Sequence, residues 1–278
     1  ASSNDDYLLV FCPTSTWIIV GDPAYTGQIK NVSETIGCVG QKAWCHGPDS
    51  TVYFLSRGGL ARMGMGYATP QLLSATKIPR ALLNVNATLY TVSLAYDLAE
   101  NRVYIFITDP NSNRSGRHWC YDVRTDSFWP LFFPAASQPT SAMWYTSELP
   151  DDSCVIMGCR DGYLRRFDRY CDTDDGNSFN SYVVYGPIQL GSGYTQGRID
   201  EMIADVGLDS RDVSWELRVG DNPEASFYAT ARESGTWTEG MNHKVRPRVR
   251  GGGFCIKVGR FASQTAGWAM ERITVLRA

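Results

Sequence analysis

Lys244, Arg246, Arg248 and Arg250 recur at every second position of the run Lys244-Val245-Arg246-Pro247-Arg248-Val249-Arg250. Successive side chains of an extended strand point to opposite faces. The spacing therefore predicts four cations along about 20 Å of one face, with Val245, Pro247 and Val249 on the other. Such a row can follow nucleic-acid phosphates without reading bases, or meet an acidic neighbouring subunit. Lys, Arg and Pro are also what a solvated edge strand uses to resist pairing with another chain. A second cluster, Asp172, Asp174 and Asp175 ahead of Gly176, supplies oxygen donors of the kind calcium takes. An EF-hand-type loop would place a Glu near its twelfth position, where Val183 stands, so a turn or interdomain hinge with solvated carboxylates is expected there.

Other chemistry is sparse. Asp151-Asp152 could serve a glycosidase only if both carboxylates faced one cleft, and neighbours on a strand face opposite ways. The chain has no Gly-x-Ser-x-Gly elbow or Walker loop, and Gly64-Met65-Gly66 lacks the following Gly of a dinucleotide fingerprint. Of eight cysteines and three histidines only Cys45-His46 are neighbours, and no Cys-x-x-Cys occurs, so reduced core thiols are expected and no metal or cofactor. A net charge of −3 and a pI near 5.7 argue against a dedicated nucleic-acid binder while leaving room for a local basic face. No apolar run approaches the ~18 to 20 residues of a membrane span, and the first residues lack the basic and apolar regions of a signal peptide.

The elements that must position these residues repeat. Val52-Tyr53-Phe54-Leu55, Val103-Tyr104-Ile105-Phe106 and Val155-Ile156-Met157 recur at intervals of 51 and 52 residues, the spacing of β-propeller blades. Ser56-Arg57-Gly58-Gly59-Leu60 and Cys159-Arg160-Asp161-Gly162-Tyr163 close two of them as hairpins in which Gly59 and Gly162 take positive φ. Tyr121-Asp122-Val123-Arg124-Thr125, with a shorter echo at Tyr96-Asp97, resembles a Kelch-type blade ending in which the Asp bonds the turn it opens. The aromatic content, 12 %, with 26 Gly and 13 Pro, favours many short strands joined by turns. The expected fold is all-β: a propeller-like module of three to four blades over residues 1–173 and a β-sandwich over 174–278, with strands read, among others, at Val39–Trp44 in the first and Phe227–Thr230 in the second. So few blades leave a ring to be completed by blades upstream of Ala1 or by further copies, or else form an open fragment.

In order along the chain, several motifs resemble one family. Leu8-Leu9-Val10-Phe11 with Trp17-Ile18-Ile19-Val20-Gly21-Asp22 is similar to an opening hairpin of the tail nozzle, or packaged-DNA stabilisation, proteins of short-tailed bacteriophages. Ile36-Gly37-Cys38-Val39 leading to Val52-Tyr53-Phe54-Leu55-Ser56-Arg57-Gly58-Gly59 resembles one of their blades. Arg160-Asp161-Gly162-Tyr163 with Phe167-Asp168 resembles the last blade, and Thr173-Asp174-Asp175-Gly176 the crossing into a terminal sandwich. The resemblance implies a β-propeller, a homomeric ring at the end of a tail, and a structural role in retaining and conducting DNA.

The expected function is thus a non-enzymatic virion protein made in the host cytoplasm, with a portal or adaptor protein and weakly held DNA as partners. The rival expectations are a propeller-fold carbohydrate-active enzyme and a Kelch-like protein-binding module.

Overall fold

Short apolar runs punctuated by Gly, Asn, Asp and Pro become strands in the computed structural model, which describes every residue except 1, 2, 5, 6, 23, 65–68, 79, 112–115, 169, 170, 172, 193, 194, 209, 262–266 and 278. The described chain is nearly all β, its sheets antiparallel, and it divides into two compact units, Ala1–Arg169 and Tyr170–Ala278.

In the first unit four sheets follow one another along the chain, each a meander of consecutive strands. The first is β1 (Ser3–Asn4), β2 (Tyr7–Phe11), β3 (Thr16–Val20) and β4 (Gln28–Ser33). The second is β5 (Trp44–His46), β6 (Val52–Ser56), β7 (Gly59–Met63) and β8 (Gln71–Leu72). The third is β9 (Thr91–Asp97), β10 (Arg102–Thr108), β11 (His118–Asp122) and β12 (Ser127–Leu131); the fourth is β13 (Pro139–Tyr145), β14 (Cys154–Cys159) and β15 (Leu164–Arg166). Val52, Val103 and Val155, the anchors of the sequence repeat, are buried on the second strands of three successive sheets.

The sheets pack face to face in chain order. Leu9 and Phe11 of the first meet the second, with Phe11 and Phe54 ring centroids 4.6 Å apart; Tyr53 stacks on Tyr96 at 5.6 Å between the second and third. Tyr104, Phe106 and Cys120 then face Val155, Met157 and Cys159 of the fourth. First strands also approach each other, β5 with β9 and β9 with β13. Hydrogen bonds from Leu94 N to Lys42 O and from Ala142 N to Ser93 Oγ, both 3.0 Å, join these regions.

Two hairpins of the third sheet share one turn. Asp97 Oδ1 accepts from Ala99 N and Glu100 N, and Asp122 Oδ1 from Arg124 N and Thr125 N. Tyr96 then donates to Asn101, and Tyr121 to Asp126. Asn101 and Asp126 have φ of 53° and 51°, a region that Asn and Asp tolerate because their short side chains bond locally. The Tyr-Asp echo in the sequence is thus a repeated piece of turn chemistry.

In the second unit one sheet has the order β16 (Ser181–Gln189), β22 (Gly253–Arg260), β18 (Val213–Gly220), β19 (Ala231–Trp237). In the other, β17 (Gly197–Val206) pairs with β23 (Met270–Arg277) on one side and with β20 (Gly240–Met241) and β21 (Val249–Gly251) on the other. Trp215, Leu217, Ile256 and Val258 of the first sheet share a core with Ile199, Met202, Ala204 and Val206 of the second.

Three expectations need correction. The strand anticipated at Phe227–Thr230 is the end of a helix, α1 (Pro223–Tyr228): Asn222 caps it by accepting from Ala225 N at 2.8 Å, and Pro223 fits its first turn. The strand anticipated from Val39 begins only at Trp44, because residues 40–43 form a turn closed by Ala43 N to Gly40 O. The continuous strand Lys244–Arg250 does not form either.

Candidate functional site

β17 is the central strand of its sheet, with Ile199, Met202, Ala204 and Val206 turned to the core and alternate residues half-exposed. The segment 240–251 runs antiparallel along its free side in three pieces. Met241 pairs with Asp205, Val245 bridges to Met202, and Val249 pairs with Ile199. Each step spans four residues on the edge and three on β17, so each interval carries one extra edge residue, the signature of a β-bulge. Arg248, at φ 51°, lies in the second interval. A strand of strict alternation was expected here; Pro247 has no N–H for a ladder, and Arg248 absorbs the extra residue in left-handed backbone.

The facing of the side chains survives the break. Lys244, Arg246, Arg248 and Arg250 are all exposed, while Val245 and Val249 pack against the sandwich core. Continuing the Val245–Met202 register sets Arg246 opposite Glu201, which takes Arg246 Nη2 at 3.1 Å and Lys244 Nζ at 2.9 Å. The hydrogen bond from Lys244, more than the opposing desolvation, holds the Glu201 carboxyl below its ordinary range. Arg250 has a different neighbour, since it pairs directly with Arg198. Like charges opposite each other across strands are destabilising. Arg198 is balanced along its own strand by Asp200 at 2.6 Å, whereas Arg248 and Arg250 make no ion pair among the described residues. The result is a cationic corner at Arg248 and Arg250 beside the Arg198–Asp200 pair, flanked by a stretch where Glu201 offsets one of the two charges of Lys244 and Arg246. Glu201 and Arg198 were not visible as site residues in the sequence, because Arg246 and Glu201 are 45 residues apart and only the β17 register joins them.

Asp174 and Asp175 have another task. Asp174 and Asn177 exchange backbone hydrogen bonds of 2.7 and 2.9 Å around Asp175 and Gly176, whose φ values are 51° and 81°; this is a tight two-residue turn. Asp172 lies outside the described residues. Asp151 and Asp152 sit in an exposed 3-10 turn rather than on a strand, Asp152 lying 3.9 Å from Arg166. On β5, Cys45 is buried and His46 exposed, so the one Cys/His neighbour pair is split between faces. All eight cysteines are free thiols.

No family model matches this chain, and no curated protein matches it. Among solved structures, a glycoside hydrolase aligns over 95 % of this chain and 84 % of that one, at 9 % identity and a TM-score of 0.25. Agreement that slight carries no argument about fold or activity.

Proposed function

We propose that this chain is a structural subunit of a virion tail that assembles around a DNA channel and holds packaged DNA by weak phosphate contacts. The observation that carries the reading is the cationic corner, where Arg250 faces Arg198 across the ladder and Arg248 stands beside them without a carboxylate partner among the described residues. An anionic ligand relieves that repulsion. Phosphate suits it because guanidinium groups bind phosphate oxygens through paired N–H donors. The overall charge of −3 fits a conduit, which must not hold DNA tightly, and the resemblance to tail nozzle proteins supplies the biological setting. A homo-oligomeric ring attached to a portal or adaptor protein belongs to the same reading.

The test is DNA binding as a function of salt. Each phosphate contact contributes about −0.9 to the slope of log K against log salt, so replacing Arg248 and Arg250 together by Ser should flatten the slope by about 1.8. Arg246→Ser should change it less, since Glu201 already occupies that guanidinium. Affinity should not depend on DNA sequence. An unchanged slope in the double variant, or no DNA binding by the wild-type protein at low salt, sinks the reading.

A further inference from the structure

In the stack of four sheets each inner sheet divides its residues between two neighbours. On β10, Val103, Ile105 and Ile107 join the core shared with the first and second sheets, while Tyr104 and Phe106 join the core shared with the fourth. By that rule the two end sheets each keep one face unused. On the first sheet Leu9 and Ile18 are buried, and the opposite face carries the cross-strand row Leu8, Ile19 and Ile29, with Val10 and Trp17 beside it. Leu8 is 41 % exposed and Ile29 63 %. On the fourth sheet Val155 and Met157 are buried, and the opposite face carries Met143 across from Ile156, with Tyr145 opposite Cys154. Met143 is 60 % exposed and Tyr145 46 %.

These faces differ in kind. The first sheet offers the side that an inner sheet turns to its predecessor; the fourth offers the side turned to a successor. We propose that the fourth sheet of one copy packs against the first sheet of the next, continuing between chains the face-to-face joint already made three times within each. The occupant is a second copy because both halves of the joint lie on one chain. The contact is heterologous, so it propagates until a ring closes or a filament grows. End units of a repeat stack are ordinarily polar on their outer side, and here the outer face of the first sheet carries the apolar row Leu8, Ile19 and Ile29, and that of the fourth carries Met143 and Ile156, with Arg166 next across the ladder and paired with Asp168. The joint rests on the assembly reading proposed above and supplies the surfaces for it.

The test uses two variants and sedimentation over a range of concentrations. Ile29→Asp places a carboxylate in the first face and Met143→Asp places one in the fourth. Wild-type protein should sediment as an oligomer of the 30.9 kDa chain, each variant alone as a monomer, and an equimolar mixture as a one-to-one dimer through the two intact faces. Both positions are exposed, so thermal unfolding should be close to wild type; if either variant fails to fold, Ser replaces Asp at that position. A wild-type monomer at every concentration, variants that still assemble alone, or a mixture that stays monomeric overturns the joint. Assembly that survives both variants removes this joint and leaves the tail reading standing. A mixed dimer alongside an unchanged salt slope in the Arg248 and Arg250 variant does the reverse.

Discussion

The buried His118 sets a pH limit on the first unit. Its ring lies between Phe106 and Phe133, at centroid distances of 5.9 and 5.2 Å, with Nδ1 accepting from Ile107 N. Desolvation pushes its pKa down to about 4, outweighing the raising influence of the nearby Gln138 side chain. The folded value is thus below the unfolded value of about 6.5, the folded state binds fewer protons, and stability is lost as pH falls from 6.5 towards 4. The full difference corresponds to roughly 3 kcal/mol by linkage. His118→Gln should lower stability at neutral pH through altered packing and flatten the loss between pH 6.5 and 4, measured by urea unfolding at stepped pH. Equal pH dependence in both proteins would show that carboxylates elsewhere dominate. None of this was legible in the sequence, where His118 is only one of three histidines; its burial follows from Phe106 and Phe133 closing over its ring.

At the scale of elements, the repeated hairpins give a comparison of two glycines that the sequence aligns. Gly59 and Gly162 have φ of 115° and 87°, as their turn positions predicted. Their surroundings differ: a Cβ on Gly59 would meet Ser74 Oγ, which accepts from Leu60 N, whereas a Cβ on Gly162 meets nothing within 4 Å. Both Ala variants incur backbone strain on the order of 1 to 3 kcal/mol. Gly59→Ala should cost clearly more, because Ser74 must also move and give up a buried hydrogen bond, and chemical denaturation of both variants reads the difference. The same contrast explains which strands the sequence announced. Second strands such as Val52–Ser56 and Arg102–Thr108 are covered on both faces and read as apolar runs, while Cys154–Cys159, covered on one face, still reads as a strand through Val155, Ile156 and Met157. The outermost strands β4 and β12, together with the edge strand β19, were not anticipated. Gln28–Ser33 and Ala231–Trp237 are mostly exposed, so their polar side chains leave no apolar period to read. The basic edge was legible as an alternation of charge but not as three pieces, since its bulges are set by pairing with a strand some 45 residues earlier.

The two units have separate cores, and this governs how the whole chain should unfold. One hydrophobic cluster joins the first three sheets and another joins the third and fourth; both lie wholly within Ala1–Arg169. The cluster around Trp215, Trp237, Met202 and Ile256 lies wholly within Tyr170–Ala278. Residues 170 to 278 number 109, close to the usual size of an independent domain, and their strands pair with one another into two packed sheets. A fragment of these residues should therefore fold alone. Trp215 and Trp237 stack at 5.4 Å with 24° between ring planes, which gives that fragment a near-ultraviolet circular dichroism signal dependent on native packing. The full chain should unfold in two steps, one coinciding with that of the fragment, because cooperativity is carried by shared cores and the second unit's core takes no residue from the first. A fragment without near-ultraviolet signal, or a single transition seen alike by tryptophan and by backbone probes in the full chain, would show that the second unit depends on the first. DNA binding by the folded fragment, with the same loss on replacing Arg248 and Arg250, would then assign the phosphate contacts to the sandwich, since β17 and its broken edge are complete within it.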